Sequence, residues 1–128
     1  MGVLFWIGRI LFAMIFLGSG LNHLARLEGM SQYAGSKGIP APRFFTAVSG
    51  LMLLAGGISV LLWCLVGIGT WLLIAFLLPA AFFMHDFWAL EDPQAKQTEQ
   101  AHFMKNLALA GAALVFFALS RSPELLGP

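Results

Sequence analysis

The residues of this chain that are best suited to chemistry directly follow its longest apolar run. Residues 44–84 contain no Asp, Glu, Lys, Arg or His, and the sequence then continues with His85, Asp86, Phe87 and Trp88. Ionisable side chains directly beside a membrane span mark a candidate functional site. We expect Asp86 to orient His85 and prepare it for proton transfer, because a carboxylate can hold an imidazole in place. The alternative is that both residues only cap and solvate a helix end.

The apolar run is too long for a single membrane span. As one helix its 41 residues would extend about 60 Å, twice the roughly 30 Å of a bilayer's hydrocarbon core. The chain is also 59% hydrophobic and only 10% charged, whereas soluble domains are about 25% charged. We therefore expect an integral membrane protein.

Four spans account for most of the sequence, and we place them near residues 3–24, 44–62, 67–87 and 103–119. Each should be helical, because lipid offers no hydrogen bonds to bare backbone. The expected fold class is all-α, a transmembrane four-helix up-down bundle that forms a single domain over residues 1–128.

Local signals refine this bundle. Glycines in the spans, such as Gly8, Gly18, Gly20, Gly50, Gly56, Gly57 and Gly111, predict close helix contacts. Gly67 and Gly69 suit a tight reversal between the second and third spans. Residues 29–37 predict a short interfacial helix. Asp92 before Pro93 predicts a helix N-cap followed by proline at the first helical position.

Alternating spans bring most polar residues to one end of the bundle, which we call the mouth. The expected mouth residues are Asn22, His23, Arg26, Tyr33, Lys37, Arg43, His85, Asp86, His102, Lys105 and Asn106. Basic residues concentrate in loops 25–43 and 88–102, which predicts that these loops are cytoplasmic.

Other ionisable and reactive residues define what else to expect. Arg9 lies inside the first span, where it either extends its guanidinium to the near interface or meets a buried partner. Cys64 is the only cysteine, so an intramolecular disulfide is excluded, and we expect a buried, inert thiol. We predict no metal site, since the histidines and Asp86 lack a metal-binding spacing. The net charge of +1 excludes a nucleic-acid partner.

Several motifs together resemble the DoxX family. They are Gly8-Arg9, Gly18-Ser19-Gly20, Gln32-Tyr33, Gly38-Ile39-Pro40-Ala41-Pro42, His85-Asp86-Phe87-Trp88 and the run from Phe103 to Gly111. The resemblance implies a small four-helix protein of the bacterial or archaeal cytoplasmic membrane, linked to oxidoreductase assemblies. Many relatives carry glutamate where this chain has Leu53, and lysine where it has His23, so Arg9 lacks that carboxylate as a counter-ion.

These observations together predict a redox-linked membrane subunit that is not catalytic alone. It would present a quinone, another lipophilic ligand or a docking surface to an oxidoreductase partner among other membrane subunits, with no covalent cofactor. Candidate binding residues are Arg9, His23, Tyr33, His85, Asp86, Trp88, Lys105 and Asn106. The alternative is a non-enzymatic structural or assembly subunit of a larger membrane complex.

Overall fold

Helices account for almost all of the computed structural model, which describes residues 2–126. The five α-helices are Gly2–Ala25 (α1), Leu27–Ser36 (α2), Pro42–Leu62 (α3), Val66–Met84 (α4) and Pro93–Arg121 (α5). Short 3-10 helices cover Phe87–Ala89 and Pro123–Leu126. Four helices, α1, α3, α4 and α5, are long and apolar enough to cross a membrane. The predicted all-α bundle of four spans is confirmed.

The spans pack in chain order. α1 lies against α3, α3 against α4, and α4 against α5, while α2 packs mainly on α3. Phe12 of α1 and Phe116 of α5 close the bundle, with ring centroids 4.8 Å apart. Phe16 and Leu53 are buried in the core that these helices share. Most other large apolar side chains face outward, as expected where lipid covers the protein.

Glycines set the closest helix contacts. A Cβ built on Gly56 would lie 2.8 Å from the carbonyl oxygen of Gly69, and one built on Gly20 would lie 2.9 Å from that of Gly50. The predicted role of small residues is therefore confirmed between α1 and α3 and between α3 and α4. It is wrong for Gly8, Gly18 and Gly111, where a Cβ would meet open space.

The reversal between α3 and α4 does not use glycine. Trp63 and Leu65 adopt left-handed backbone conformations with φ of 56° and 52°. Gly67 and Gly69 instead lie within α4, so the prediction that they form the reversal is wrong. Gly69 is needed at the helix contact, because a Cβ there would collide with Ser59.

Helix ends show where the predicted boundaries hold. The Oδ2 of Asp92 accepts a hydrogen bond from the Ala95 amide at 2.9 Å, which confirms the predicted N-cap of α5. α5 begins at Pro93, ten residues before the predicted start of the fourth span at residue 103. Residues 93–102 are mostly polar, so they extend the helix beyond the predicted span. α2 starts at Leu27, two residues earlier than predicted, and α4 ends at Met84, before the predicted limit of residue 87.

Candidate functional site

An ion pair joins two helix ends at the mouth. Lys37 follows the last residue of α2, and its Nζ lies 2.6 Å from Oδ1 of Asp86, just beyond the end of α4. The two side chains are only 20% and 28% exposed. The hydrogen bond to Asp86 and the negative charge of that carboxylate raise the pKa of Lys37 above its usual range. Lys37 therefore stays protonated beside Asp86.

A second pair holds His85. Its Nδ1 lies 2.7 Å from Oε2 of Glu99 on α5, and its ring stacks on His102 with centroids 5.1 Å apart. The expectation that Asp86 orients His85 is wrong, because Glu99 makes this contact and Asp86 bonds Lys37 instead. Glu99 and His102 are three residues apart and therefore share one face of α5. That spacing is the sequence signal that points to Glu99 as a partner at the mouth.

Lys37 of the first pair and Glu99 of the second line one open recess between the end of α2 and the start of α5. It is a shallow recess with a volume of about 430 Å³. Tyr33, Lys37 and Glu99 contribute a hydroxyl, an ammonium and a carboxylate group to its lining. The remaining lining residues are Leu90, Asp92, Gln94, Ala95 and Thr98.

Aromatic rings surround Phe103 beside the charged pairs. The Phe103 centroid lies 5.3 Å from that of Phe82, 5.4 Å from that of Phe87 and 5.7 Å from that of Trp88. Trp88 and Phe82 are about half exposed. The mouth thus combines a polar recess with an aromatic cluster (Phe82, Phe87, Trp88 and Phe103) that faces outward.

Tyr33 is a predicted site residue that lines this recess, whereas Asn106, His23 and Lys105 do not. Asn106 is buried, and its Nδ2 donates to the carbonyl oxygen of Leu77 at 3.4 Å. His23 is buried too, with Nδ1 2.7 Å from the Ser19 carbonyl oxygen. Lys105 is exposed on α5 and forms no ion pair within the described part of the chain. The expected approach of Lys105 and Asn106 to His85 and Asp86 is therefore not seen.

Arg9 lies toward the opposite end of the bundle. It is 5% exposed, but within residues 2–126 its Nε has no hydrogen-bond partner and no ion pair includes it, so the predicted buried partner is not seen there. Its guanidinium carbon lies 3.8 Å from the ring centroid of Trp6, 4.8 Å from that of Phe5 and 5.7 Å from that of Trp63. Aromatic rings, rather than a carboxylate, surround this charge. Leu53, where many relatives carry glutamate, is fully buried.

The remaining reactive groups do not assemble a further centre. Cys64 is exposed at the turn between α3 and α4, so the expectation of a buried thiol is wrong. The turn is too short to cover the side chain. Within residues 2–126, no three His, Cys, Asp or Glu side chains group closely enough to hold a metal ion.

Comparisons with known proteins agree on the class of protein. The family model described as DoxX matches residues 4–86, which is more than half of the chain. The chain is 28% identical over 113 residues to the inner membrane protein YphA of Escherichia coli (strain K12), covering 88% of this chain and 80% of that protein. No solved structure matches the chain.

Proposed function

The chain belongs to the DoxX family, and we propose that this integral protein of the cytoplasmic membrane binds the polar head of a quinone at its mouth for a redox partner. The observation that carries the proposal is the recess bordered by Lys37, Tyr33 and Glu99. On α5, Phe103 of the aromatic cluster lies one helical turn after Glu99, so the rings would hold the apolar part of a lipophilic molecule while the recess binds its polar head.

The polar residues have two proposed roles, which are to donate hydrogen bonds to the ligand and to transfer protons. The Lys37 ammonium and the Tyr33 hydroxyl are hydrogen-bond donors suited to carbonyl oxygens. Glu99 and His85 form a hydrogen-bonded pair at 2.7 Å, through which a proton can pass between the recess and the surface. A bound quinone supplies the capacity to take up two electrons and two protons. Electrons must come from a partner, because the chain has no cysteine pair or flavin motif.

Photolabelling tests where the ligand binds. Purified protein in lipid nanodiscs would be irradiated with a short-chain azidoquinone, and the modified residues mapped by mass spectrometry. We expect labels in residues 33–37 and 94–99, and we expect excess unmodified quinone to suppress them. Labelling that is unaffected by the competitor, or confined to other segments, would overturn the proposal.

Matched variants separate proton transfer from structure. Glu99→Gln keeps the size of the side chain and removes the carboxylate, so quinone-linked turnover in native membranes should fall while the amount of assembled complex stays constant. Asn106→Leu is the control, because Asn106 is buried away from the recess and its loss should leave turnover per complex unchanged. Equal turnover in both variants would argue against a role for the Glu99–His85 pair.

A structural subunit is the second candidate, and the same two pairs favour it. Lys37–Asp86 and His85–Glu99 join α2, α4 and α5 at one end of the bundle, as a docking platform would require. This function predicts that Glu99→Gln lowers the amount of complex, whereas any remaining complex turns over normally. Measuring both quantities on the same membranes distinguishes the two functions.

A further inference from the structure

We propose that Arg9 binds the phosphate group of a membrane phospholipid at the end of the bundle opposite the mouth. Arg9 is 95% buried, since only 5% of its surface is exposed. Its Nε has no hydrogen-bond partner among residues 2–126, and none of the ion pairs in that range includes Arg9. A buried charge is costly unless an opposite charge or hydrogen bonds compensate for it. The protein described here supplies neither.

The position of the guanidinium suits a lipid headgroup. Helical side chains lean toward the helix N-terminus, and the Arg9 guanidinium contacts Phe5 and Trp6, one turn earlier in α1. It also lies 5.7 Å from the ring of Trp63, in the turn that joins α3 to α4. Such turns lie near the membrane surface, where tryptophan is enriched and phospholipid phosphates are found. The charge is therefore within reach of the headgroup layer.

The surroundings of Arg9 leave its guanidinium in need of an anion with oxygen acceptors. Aromatic rings attract a cation through their electron-rich faces but carry no net negative charge. Guanidinium N–H groups form a planar fork that matches two oxygens of one phosphate. Phe5, Trp6 and Trp63 therefore hold the guanidinium in place and leave its N–H groups in need of acceptors.

The surface beside Arg9 suits the rest of a phospholipid. Trp6, whose ring centroid lies 3.8 Å from the guanidinium carbon of Arg9, is 48% exposed. Acyl chains would cover this ring while the phosphate meets the guanidinium. A phospholipid offers both groups in one molecule, which an inorganic anion does not.

Lipid titration followed by native mass spectrometry tests the proposal. Delipidated protein in detergent would be titrated with phosphatidylglycerol and, separately, with diacylglycerol of the same acyl chains. We expect the wild-type protein to bind phosphatidylglycerol at least about tenfold more tightly than diacylglycerol, since charged hydrogen bonds to phosphate are lost with the headgroup. Equal binding of the two lipids would overturn the proposal without any need for a variant.

Variants test whether Arg9 causes the preference for phosphatidylglycerol over diacylglycerol. Arg9→Leu should abolish it and Arg9→Lys should retain part of it, since a lysine keeps the charge but not the fork. Arg121→Leu is the matched control, because Arg121 is an exposed cation near the same end, and its loss should leave the preference intact. Loss of preference in Arg121→Leu but not Arg9→Leu would contradict the assignment. Displacement of the lipid by millimolar inorganic phosphate would show a free-phosphate site and overturn it as well.

Discussion

Lys37 and Asp86 are 49 residues apart in the chain, and their side chains meet at 2.6 Å. Lys37 caps the C-terminal end of α2, and Asp86 is the second residue beyond α4. The pair therefore fixes the short helix α2, which lies outside the four spans, onto the end of a membrane helix. Lys37 of this pair also lines the recess in which we propose that a ligand binds.

A double-mutant cycle should show that Lys37 and Asp86 stabilise each other. We expect Lys37→Ala and Asp86→Ala to be less than additive, with a coupling free energy of about 1 kcal/mol. Denaturant unfolding in detergent micelles would measure it. The Arg43–Glu28 pair is the control, since its atoms are equally close but its side chains are 66% and 71% exposed, so water and salt should weaken its coupling. A coupling at Lys37–Asp86 no larger than at Arg43–Glu28 would contradict this expectation.

The Lys37–Asp86 pair should lose its contribution to the free energy of unfolding at alkaline pH. Asp86 raises the pKa of Lys37 above the ordinary value of 10.5, so the folded protein holds this proton more tightly than the unfolded chain. The stabilisation is therefore complete below the ordinary lysine pKa and is lost as pH rises through the raised value. The stability difference between wild type and Lys37→Met should stay constant from neutral pH to the ordinary lysine pKa and should shrink as pH rises from there through the raised pKa. A difference that already shrinks near neutral pH would contradict the assignment.

Hydropathy and capping predict the fold from the sequence, but they do not predict side-chain partners. The charge-free run over residues 44–84 requires two spans, and Asp92 before Pro93 defines the start of α5. Both features depend only on residues within one segment of the chain. The pairing of His85 with Glu99 depends on how α5 is rotated about its axis relative to α4. A single sequence does not specify that rotation, so the adjacent Asp86 was the natural but wrong partner.

Glycine positions show the same limit. Gly56 and Gly111 both occur among apolar residues of a span, and only the packing of the helices distinguishes them. α3 lies so close to α4 that Gly56 has no room for a Cβ, whereas Gly111 faces open space. Similarly, the turn at residues 63–65 uses Trp63 and Leu65 at positive φ, where the sequence favoured nearby glycines. Gly69 is instead needed where α4 contacts Ser59 of α3, and the reversal lies before it in the chain.

Alanine substitution should distinguish these two glycines. In Gly56→Ala the new Cβ would lie 2.5 Å from side-chain atoms of Leu73 and 2.8 Å from the Gly69 carbonyl, so we expect a loss of about 1–3 kcal/mol from overpacking. Gly111→Ala meets nothing within 4 Å and should be neutral or stabilising by up to about 1 kcal/mol, because alanine favours helix. Unfolding of both variants in the same detergent measures the difference. Equal losses would mean that α3 and α4 are not in such close contact.

Glycine in place of Leu65 should stabilise the turn between α3 and α4. Leu65 has φ of 52°, and the left-handed conformation costs an L-residue roughly 1–2 kcal/mol, which glycine avoids. Glycine also loses about 0.5–1 kcal/mol through the greater freedom of the unfolded chain, so a net gain between zero and about 1.5 kcal/mol is expected. The side chain is 72% exposed, so its removal forfeits little packing within the protein. Ile68→Gly is the control, since Ile68 is 63% exposed but lies within α4, and it should lose about 1 kcal/mol. Thermal unfolding that shows the same loss for both variants would contradict the left-handed conformation of Leu65.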